Sequence, residues 1–212
     1  MATAPMTHPK REASHNGAQR DFDAVIVGAG FAGLYMLHRL RGMGMRVRVF
    51  EAGSGVGGTW YWNRYPGARC DVESVQYSFQ FSPELQQEWN WSERYAAQPE
   101  LLRYANHVAD RFDLRRDIQF NTRVDAAFFD DAAGRWVIET SDGARTTATY
   151  CIMALGCLSS PNLPTFEGIE HRITGLPAHA DDKRKSEFLP VCGIQFLETL
   201  EFGIRQLIET ET

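Results

Sequence analysis

The sequence lacks the features that mark membrane-spanning and nucleic-acid-binding proteins. No apolar run approaches the ~18 residues of a membrane span, and the polar start contains no apolar signal core. Lysine and arginine are scattered, and a net charge of −5 leaves no basic stripe for a phosphate backbone. We therefore expect neither a membrane nor a nucleic acid as a partner.

Cysteine is also scarce, and its spacing is unlike that of a metal site. The four cysteines, Cys70, Cys151, Cys157 and Cys192, form no close Cys-x-x-Cys pair. The histidines lack metal-ligand spacing as well, and a chain of this size has no need of disulfides. We expect reduced thiols, no bound metal and a cytoplasmic location.

What the sequence does have is the composition of one globular core, with 43% hydrophobic and 23% charged residues. Residues 1–21 have almost nothing to bury and predict a disordered arm. Residues 22–170 predict one α/β domain. Residues 171–212 run from charged to amphipathic and predict a short helical tail.

The domain begins with a β-α-β pattern. Residues 23–27 form an apolar, β-branched run, the spacing of Leu34, Leu37 and Leu40 predicts a helix, and residues 46–51 predict a second strand. Parallel strands joined in this way require a crossover helix. The pattern is typical of a Rossmann-like fold.

The rest of the domain predicts a return to the same sheet. Residues 53–95 are rich in Gly, Trp, Tyr and Pro, which suits a long functional excursion. Residues 99–112 predict a helix whose buried face contains Leu102, Ala105, Val108, Ala109 and Phe112. Strands predicted at 122–129, 135–140 and 145–154, separated by turns with Gly134 and Gly143, form a β-meander that ends in a parallel strand.

Glycine spacing after the first strand predicts a dinucleotide site. In Gly28-x-Gly30-x-x-Gly33, the glycines allow a tight turn, a close approach to pyrophosphate and packing of the helix on its strand. Glu51 ends the second strand, where a carboxylate accepts ribose hydroxyls and repels a 2′-phosphate. The combination predicts FAD or NAD at this site, and not NADP.

Residues 57–71, GGTWYWNRYPGARCD, carry the most specific motif. Gly58 and Thr59 offer amides and a hydroxyl to the ribityl-pyrophosphate part of a longer cofactor, which favours FAD. The segment fits the pattern [A/G]-G-x-W-x(4)-[F/Y]-P-[G/M]-x(3)-D at every fixed position. Here the sequence resembles the Baeyer–Villiger monooxygenases, class B flavin enzymes that act on ketones, and the resemblance covers about residues 22–170.

The resemblance implies an FAD enzyme that uses NADPH and O2 to insert oxygen beside a ketone carbonyl. It also implies that residues 69–71 lie near the nicotinamide, which adds Arg69 to the candidate site. By the same resemblance, the residues that touch FAD are Phe31, Glu51, Thr59, Trp60, Asp71, Tyr77 and Val124.

Asp71 is the one candidate catalytic residue. The resemblance implies that it pairs with a downstream arginine that steadies the negative charge of the oxygenated flavin. Its role would be to orient a cation and not to transfer a proton. The alternative is a surface carboxylate that follows a turn.

Other conspicuous side chains favour structural interpretations. Cys70 has no base or resolving cysteine nearby in sequence, so we expect an inert buried thiol. Five aromatic residues in the motif region either wall a substrate pocket or pack a core: Trp60, Tyr61, Trp62, Trp89 and Trp91. Packing is favoured for all of them except Trp60.

The resemblance ends before the chain does. The family motif F-x-G-x-x-x-H-x-x-x-W meets only Phe166 and Gly168, with His171 one residue early and no tryptophan after it. No second Gly-x-Gly-x-x-Gly follows, so we expect the NADPH domain and the partner arginine to be missing and the FAD domain to be incomplete. A rearranged reading frame or a real capping segment would explain residues 171–212, and the abrupt loss of resemblance favours the first.

Three functions stay open. The first is a Baeyer–Villiger monooxygenase, here truncated to an inactive FAD-binding fragment, with a ketone and O2 as the partners of the full-length family. The second is a non-catalytic FAD-binding or interaction module that self-associates through exposed apolar surface. The third is a heteroatom monooxygenase of the N-hydroxylating kind, against which the spacing from Trp60 to Asp71 argues.

Overall fold

The computed structural model describes residues 20–158, which form an α/β fold around one sheet. The predictions for the arm up to residue 19, and for everything from residue 159 onwards including the tail helix, lie outside these residues. The elements in chain order are β1 (Arg20–Val27), α1 (Phe31–Gly42), β2 (Val47–Phe50), α2 (Thr59–Trp62), α3 (Ser74–Tyr77), α4 (Pro83–Glu88), α5 (Gln98–Arg111), a 3₁₀ turn (Arg115–Asp117), β3 (Ile118–Gln119), β4 (Val124–Asp130), β5 (Arg135–Thr140) and β6 (Arg145–Met153).

The sheet has six strands in the order β3-β2-β1-β6-β5-β4. β1 pairs in parallel with β2 and β6, and β2 with β3, while β5 is antiparallel to β6 and β4. The structure thus confirms the Rossmann-like fold with a parallel sheet and a returning β-meander. Because β6 runs parallel to β1 and β2, it ends at the same edge of the sheet as they do, where ligands of such folds bind.

One face of the parallel strands packs against the helices α1 and α5. Burying a Leu, Ile or Val side chain contributes about 1.5–3 kcal/mol, so this layer fixes the position of α1 on β1. The strand residues in this core are Ala24, Ile26, Val47 and Val49, and the helix residues are Leu34, Met36, Leu37, Leu40, Tyr104, Ala105, Val108 and Ala109.

The opposite face of the sheet is also buried. Val25, Val27 and Phe50 pack there with Ile138 of β5 and Ala148 of β6. Burial on both faces explains why residues 24–27 are apolar without alternation, as is usual for a central parallel strand.

Helix α5 shows where the predicted pattern was inaccurate. The helix predicted at 99–112 is present, with Pro99 in the first turn, but Leu102 is partly exposed while Tyr104 is buried. The Tyr104 hydroxyl accepts a hydrogen bond from the Phe79 backbone N–H at 2.9 Å. Burial raises the pKa of Tyr104 to about 12. A tyrosine can serve as a core residue here because its polar end has a partner.

Element ends depart from the predicted ranges where distant segments decide them. β1 begins at Arg20 and not at residue 23, because its first residues pair with β6. The excursion at 53–95 contains the short helices α2, α3 and α4, and the two-residue strand β3 was not predicted. The turns at Gly134 and Gly143 are confirmed, with φ angles of 63° and 81°.

Candidate functional site

The turn between β1 and α1 is closed by backbone on two sides. Gly28 has a φ of 103°, and a Cβ there would lie 2.6 Å from the carbonyl oxygen of Ala154, which follows β6. A Cβ on Gly33 would collide with the carbonyl oxygen of Gly28. Glycine is therefore required at the first and third motif positions by the packing of neighbouring backbone segments.

The start of α1 presents backbone N–H groups without side-chain competition. Gly30 is the N-cap and no side chain caps the helix, whose first turn contains no acidic residue. A helix N-terminus carries partial positive charge and binds anions such as pyrophosphate. Gly30, the second glycine of the motif, therefore lies where an anionic group can approach the start of α1 without meeting a capping side chain.

A second glycine pair meets this turn. A Cβ on Gly58 would lie 2.8 Å from the Cα of Gly30, so the two backbones are in contact. The Gly57 N–H donates to the carbonyl oxygen of Ala29 at 3.0 Å. Through these contacts the 57–71 motif and the first glycine turn form one site.

Glu51 is buried beside the turn, with 5% of its surface exposed. The Ala29 N–H donates to Oε2 at 2.7 Å and the Gly53 N–H donates to Oε1 at 2.7 Å. A carboxylate has about four acceptor positions, so about two stay open for the hydroxyls of a ribose. The glycine turns, the uncapped helix start and this carboxylate fit the adenosine diphosphate part of FAD.

Aromatic side chains continue the site beyond the glycines. The Phe31 ring lies 5.1 Å from that of Tyr77, and Trp60 Nε1 donates to the Tyr77 hydroxyl at 3.0 Å. Trp60 is buried, and its carbonyl oxygen accepts from Gln98 Nε2 at 2.5 Å. The structure therefore brings three predicted FAD contacts together, and Gln98, which the sequence did not single out, anchors one of them.

The predicted nicotinamide-side residues lie on the surface. Arg69 is half-exposed, ion-pairs with Glu93 and donates to the carbonyl oxygen of Tyr95. Asp71 is exposed. Its role as an orienting carboxylate stays a prediction, as does the contact of FAD with Val124, which packs against the core on the opposite face of the sheet.

The remaining aromatic residues of the motif region divide between core and loop. Trp89 and Trp91 pack against the core around Tyr104, which confirms the packing interpretation for both. Trp62 is 36% exposed, so it is no core residue. Tyr61 contacts the loop that follows β2 through its ring and its hydroxyl.

Two of the cysteines, Cys70 and Cys151, have the character of unreactive thiols. Cys70 is buried against Trp60, and burial raises the pKa of its thiol. Burial likewise raises the pKa of Cys151. In residues 20–158, no group of three or more His, Cys, Asp or Glu side chains is placed to hold a metal ion. In the same part of the chain, every helix is too short or too polar to cross a membrane.

Comparison with known proteins gives one family and several named relatives. A family model described as pyridine nucleotide-disulphide oxidoreductase matches residues 25–191. A Baeyer–Villiger monooxygenase of Pseudooceanicola batsensis is 50% identical over 151 residues, which are 71% of this chain and 28% of that protein. A phenazine N-monooxygenase of Lysobacter antibioticus is 49% identical over 148 residues, which are 69% of this chain and 27% of that protein.

A solved structure described as an oxidized steroid monooxygenase bound to NADP has 61% sequence identity and a TM-score of 0.68. The match covers 71% of this chain and 29% of that one. The chain thus spans less than a third of the length of the curated relatives and of this structure.

Proposed function

The chain belongs to the pyridine nucleotide-disulphide oxidoreductase family, and we propose that residues 20–158 are the FAD-binding part of a flavin monooxygenase of Baeyer–Villiger type. The observation that carries this proposal is the contact of the Gly30 turn with Gly58, beside the buried Glu51 carboxylate. That contact joins a general dinucleotide site to the most specific motif of the sequence.

In this proposal each part of the site has a separate task. Gly28 and Gly33 let the turn close against neighbouring backbone, Gly30 and Gly58 let the backbone approach the pyrophosphate, and Glu51 accepts the ribose hydroxyls. The residues expected along the rest of the cofactor are Phe31, Thr59, Trp60, Tyr77 and Val124.

Bound FAD would supply the redox chemistry, which is oxygen transfer from O2 to a ketone at the expense of NADPH. Asp71 would orient a cationic partner toward the flavin, and its exposure leaves room for that partner. Arg69, held by Glu93 and by the backbone of Tyr95, would stand beside the nicotinamide.

The proposal is tested by titrating the purified chain with FAD and following the quenching of flavin fluorescence. We expect saturable binding by the wild type. We expect Glu51→Gln to weaken binding about tenfold to a hundredfold, because a hydrogen bond to a charged group contributes about 1.5–3 kcal/mol. Glu139→Gln is the matched control, since Glu139 ion-pairs with Arg145 in the meander. A wild type that is folded by circular dichroism but leaves FAD unbound would contradict the proposal.

N-oxygenation is a second candidate for the whole protein's activity. The phenazine N-monooxygenase is as similar to this chain as the Baeyer–Villiger monooxygenase is, at 49% against 50% identity. A panel of ketones and nitrogen heteroaromatics, assayed with NADPH on the chain and on a full-length relative with the same 57–71 motif, separates the two. Both products gain one oxygen atom, so NMR must place it beside a carbonyl or on nitrogen.

We expect the 212 residues alone to give neither product, because no Gly-x-Gly-x-x-Gly spacing follows Gly58 and the hydride donor needs its own site. Lactone or ester formation coupled to NADPH consumption by the purified chain would overturn this expectation.

The proposal includes a cytoplasmic location and self-association. Among the described residues Cys70 and Cys151 are free thiols, which supports a reducing compartment. Phe128 and Phe129 on β4, and Met153 at the end of β6, are large apolar residues that are about half exposed. Analytical ultracentrifugation over a range of concentrations tests the association.

A further inference from the structure

The loop after β2 packs closely against the ring of Tyr61. A Cβ on Gly53 would stand 2.7 Å from Tyr61 Cε1, and one on Gly55 would stand 3.1 Å from Cε2. The two glycines therefore rest on opposite edges of the same ring. This contact explains why the loop has small residues at two alternate positions, where a side chain would push the loop off the ring.

The hydroxyl of Tyr61 holds the same loop between the two glycines. The Ser54 N–H donates to Tyr61 Oη at 3.1 Å, and Ser54 Oγ lies 2.7 Å from Oη, where either hydroxyl can donate to the other. Tyr61 itself is fixed by Arg64, whose Nε donates to the Tyr61 carbonyl oxygen at 2.7 Å. The Arg64 guanidinium also lies 4.9 Å from the centre of the ring.

The position of this loop decides the orientation of the Glu51 carboxylate. The Gly53 N–H holds Oε1, while the Ala29 N–H holds Oε2 from the opposite side. These two bonds fix the plane of the carboxylate and the direction of its open acceptor positions. If Gly53 moved, Oε1 would lose its donor and the carboxylate could rotate about its last bond.

We propose that Tyr61 is a positioning residue for the ribose of the bound dinucleotide. Its ring and hydroxyl hold Gly53 and Ser54 so that Glu51 Oε1 presents an open acceptor position to a ribose hydroxyl. The inference rests on the proposed function, because it takes a dinucleotide to bind at the glycine turn. It gives Tyr61 a task that is neither core packing nor lining of a substrate pocket.

The test measures the coupling between Tyr61 and one ribose hydroxyl, with ADP and 2′-deoxy-ADP as probes in calorimetric titrations of the chain. We expect the wild type to prefer ADP by about tenfold, the value of one charge-assisted hydrogen bond. Tyr61→Phe keeps the ring and removes the hydroxyl. It should reduce the preference to less than about threefold, by weakening ADP and leaving 2′-deoxy-ADP nearly unchanged. A purely structural role would weaken both probes equally.

Two further variants complete the design. Ser54→Ala removes the other hydroxyl of the pair at an exposed position and should repeat the loss of preference, so it carries the test if Tyr61→Phe does not fold. Tyr95→Phe changes a tyrosine that is 39% exposed and should keep the wild-type preference.

The outcomes separate the inference from the proposed function. A wild-type preference in both Tyr61→Phe and Ser54→Ala overturns the inference and leaves FAD binding in place. A folded wild type that binds neither ADP nor FAD overturns the proposed function itself.

Discussion

The turn between β1 and α1 and the turn between β5 and β6 both depend on glycine, but for different reasons. At Gly33 the space for a side chain is taken by the backbone of Gly28. At Gly143 nothing lies within 4 Å of the place for a Cβ, and only the φ of 81° favours glycine. The first turn is closed by packing and the second is a local conformation. A substitution in the first turn should therefore disrupt the cofactor edge, which is the edge of the sheet where β1, β2 and β6 end and the cofactor is proposed to bind. A substitution in the second turn should only strain the meander.

The largest effect is expected for Gly33→Ala. The added methyl cannot fit without moving α1 away from the turn, so we expect a loss of at least about 3 kcal/mol of stability and loss of FAD binding. Urea unfolding and FAD titration measure the two. Gly42→Ala is the control, because Gly42 is at the end of the same helix with open space around it. An unchanged urea midpoint for Gly33→Ala would show that the turn can yield.

The next largest effect is expected at Tyr104, whose ring lies 6.1 Å from that of Phe31 at the cofactor edge. Its pKa is raised from 10.0 to about 12 in the folded chain. Between these values the unfolded chain releases the proton and the folded chain keeps it. Stability should therefore be intact below pH 10 and fall by about 1.4 kcal/mol per pH unit between pH 10 and pH 12.

The variant Tyr104→Phe isolates this contribution. At neutral pH it should be less stable by about 1–3 kcal/mol, because the buried Phe79 N–H loses its acceptor. From pH 10 to 12 the difference from the wild type should shrink, since the variant has no proton to release there. A constant difference in unfolding free energy across this range would contradict the burial argument.

Gly143→Ala should have a smaller effect, confined to the meander. Left-handed backbone costs a residue with a Cβ about 1–2 kcal/mol, and no clash is added. We expect a lower urea midpoint with unchanged FAD affinity. A loss of FAD affinity in this variant would mean that the two regions are less independent than their packing indicates.

The smallest effect is expected for Arg123→Ala, immediately before β4. Arg123 Nε lies 2.7 Å from Asp125 Oδ1, but both side chains are largely exposed. Exposed ion pairs contribute little to stability, because water and salt screen them. A double-mutant cycle with Asp125→Ala should find a coupling close to zero, and a clear coupling would give the meander surface a role in stability.

The parts of the fold that were predicted correctly are those determined by residues close together in the sequence. The apolar run of β1, the helical spacing of α1 and the turn glycines at 134 and 143 each depend on neighbours in sequence. β5 was predicted with its observed bounds for the same reason. The glycine turn and Glu51 were recognised because their spacing reflects one β-α-β unit.

The parts that were missed depend on partners far along the chain. Tyr104 replaces Leu102 in the core because the Phe79 backbone N–H donates to its hydroxyl. The spacing of apolar residues along the helix cannot reveal such a donor. Gln98 supports Trp60 from 38 residues away. Tyr61 was interpreted from composition alone, whereas its contact with Ser54 depends on how the loop folds back.

The closure of Gly28 by Ala154 has a consequence for how the chain folds. β1 lies at the centre of the parallel strands, yet β6, its partner, comes so late that 126 residues separate Asp21 from Thr147. Contacts of such long range slow folding, because a large loop must close before they form. During synthesis, β1 and β2 can associate early, but the cofactor edge is finished only when β6 arrives. FAD binding should therefore appear among the last events of folding.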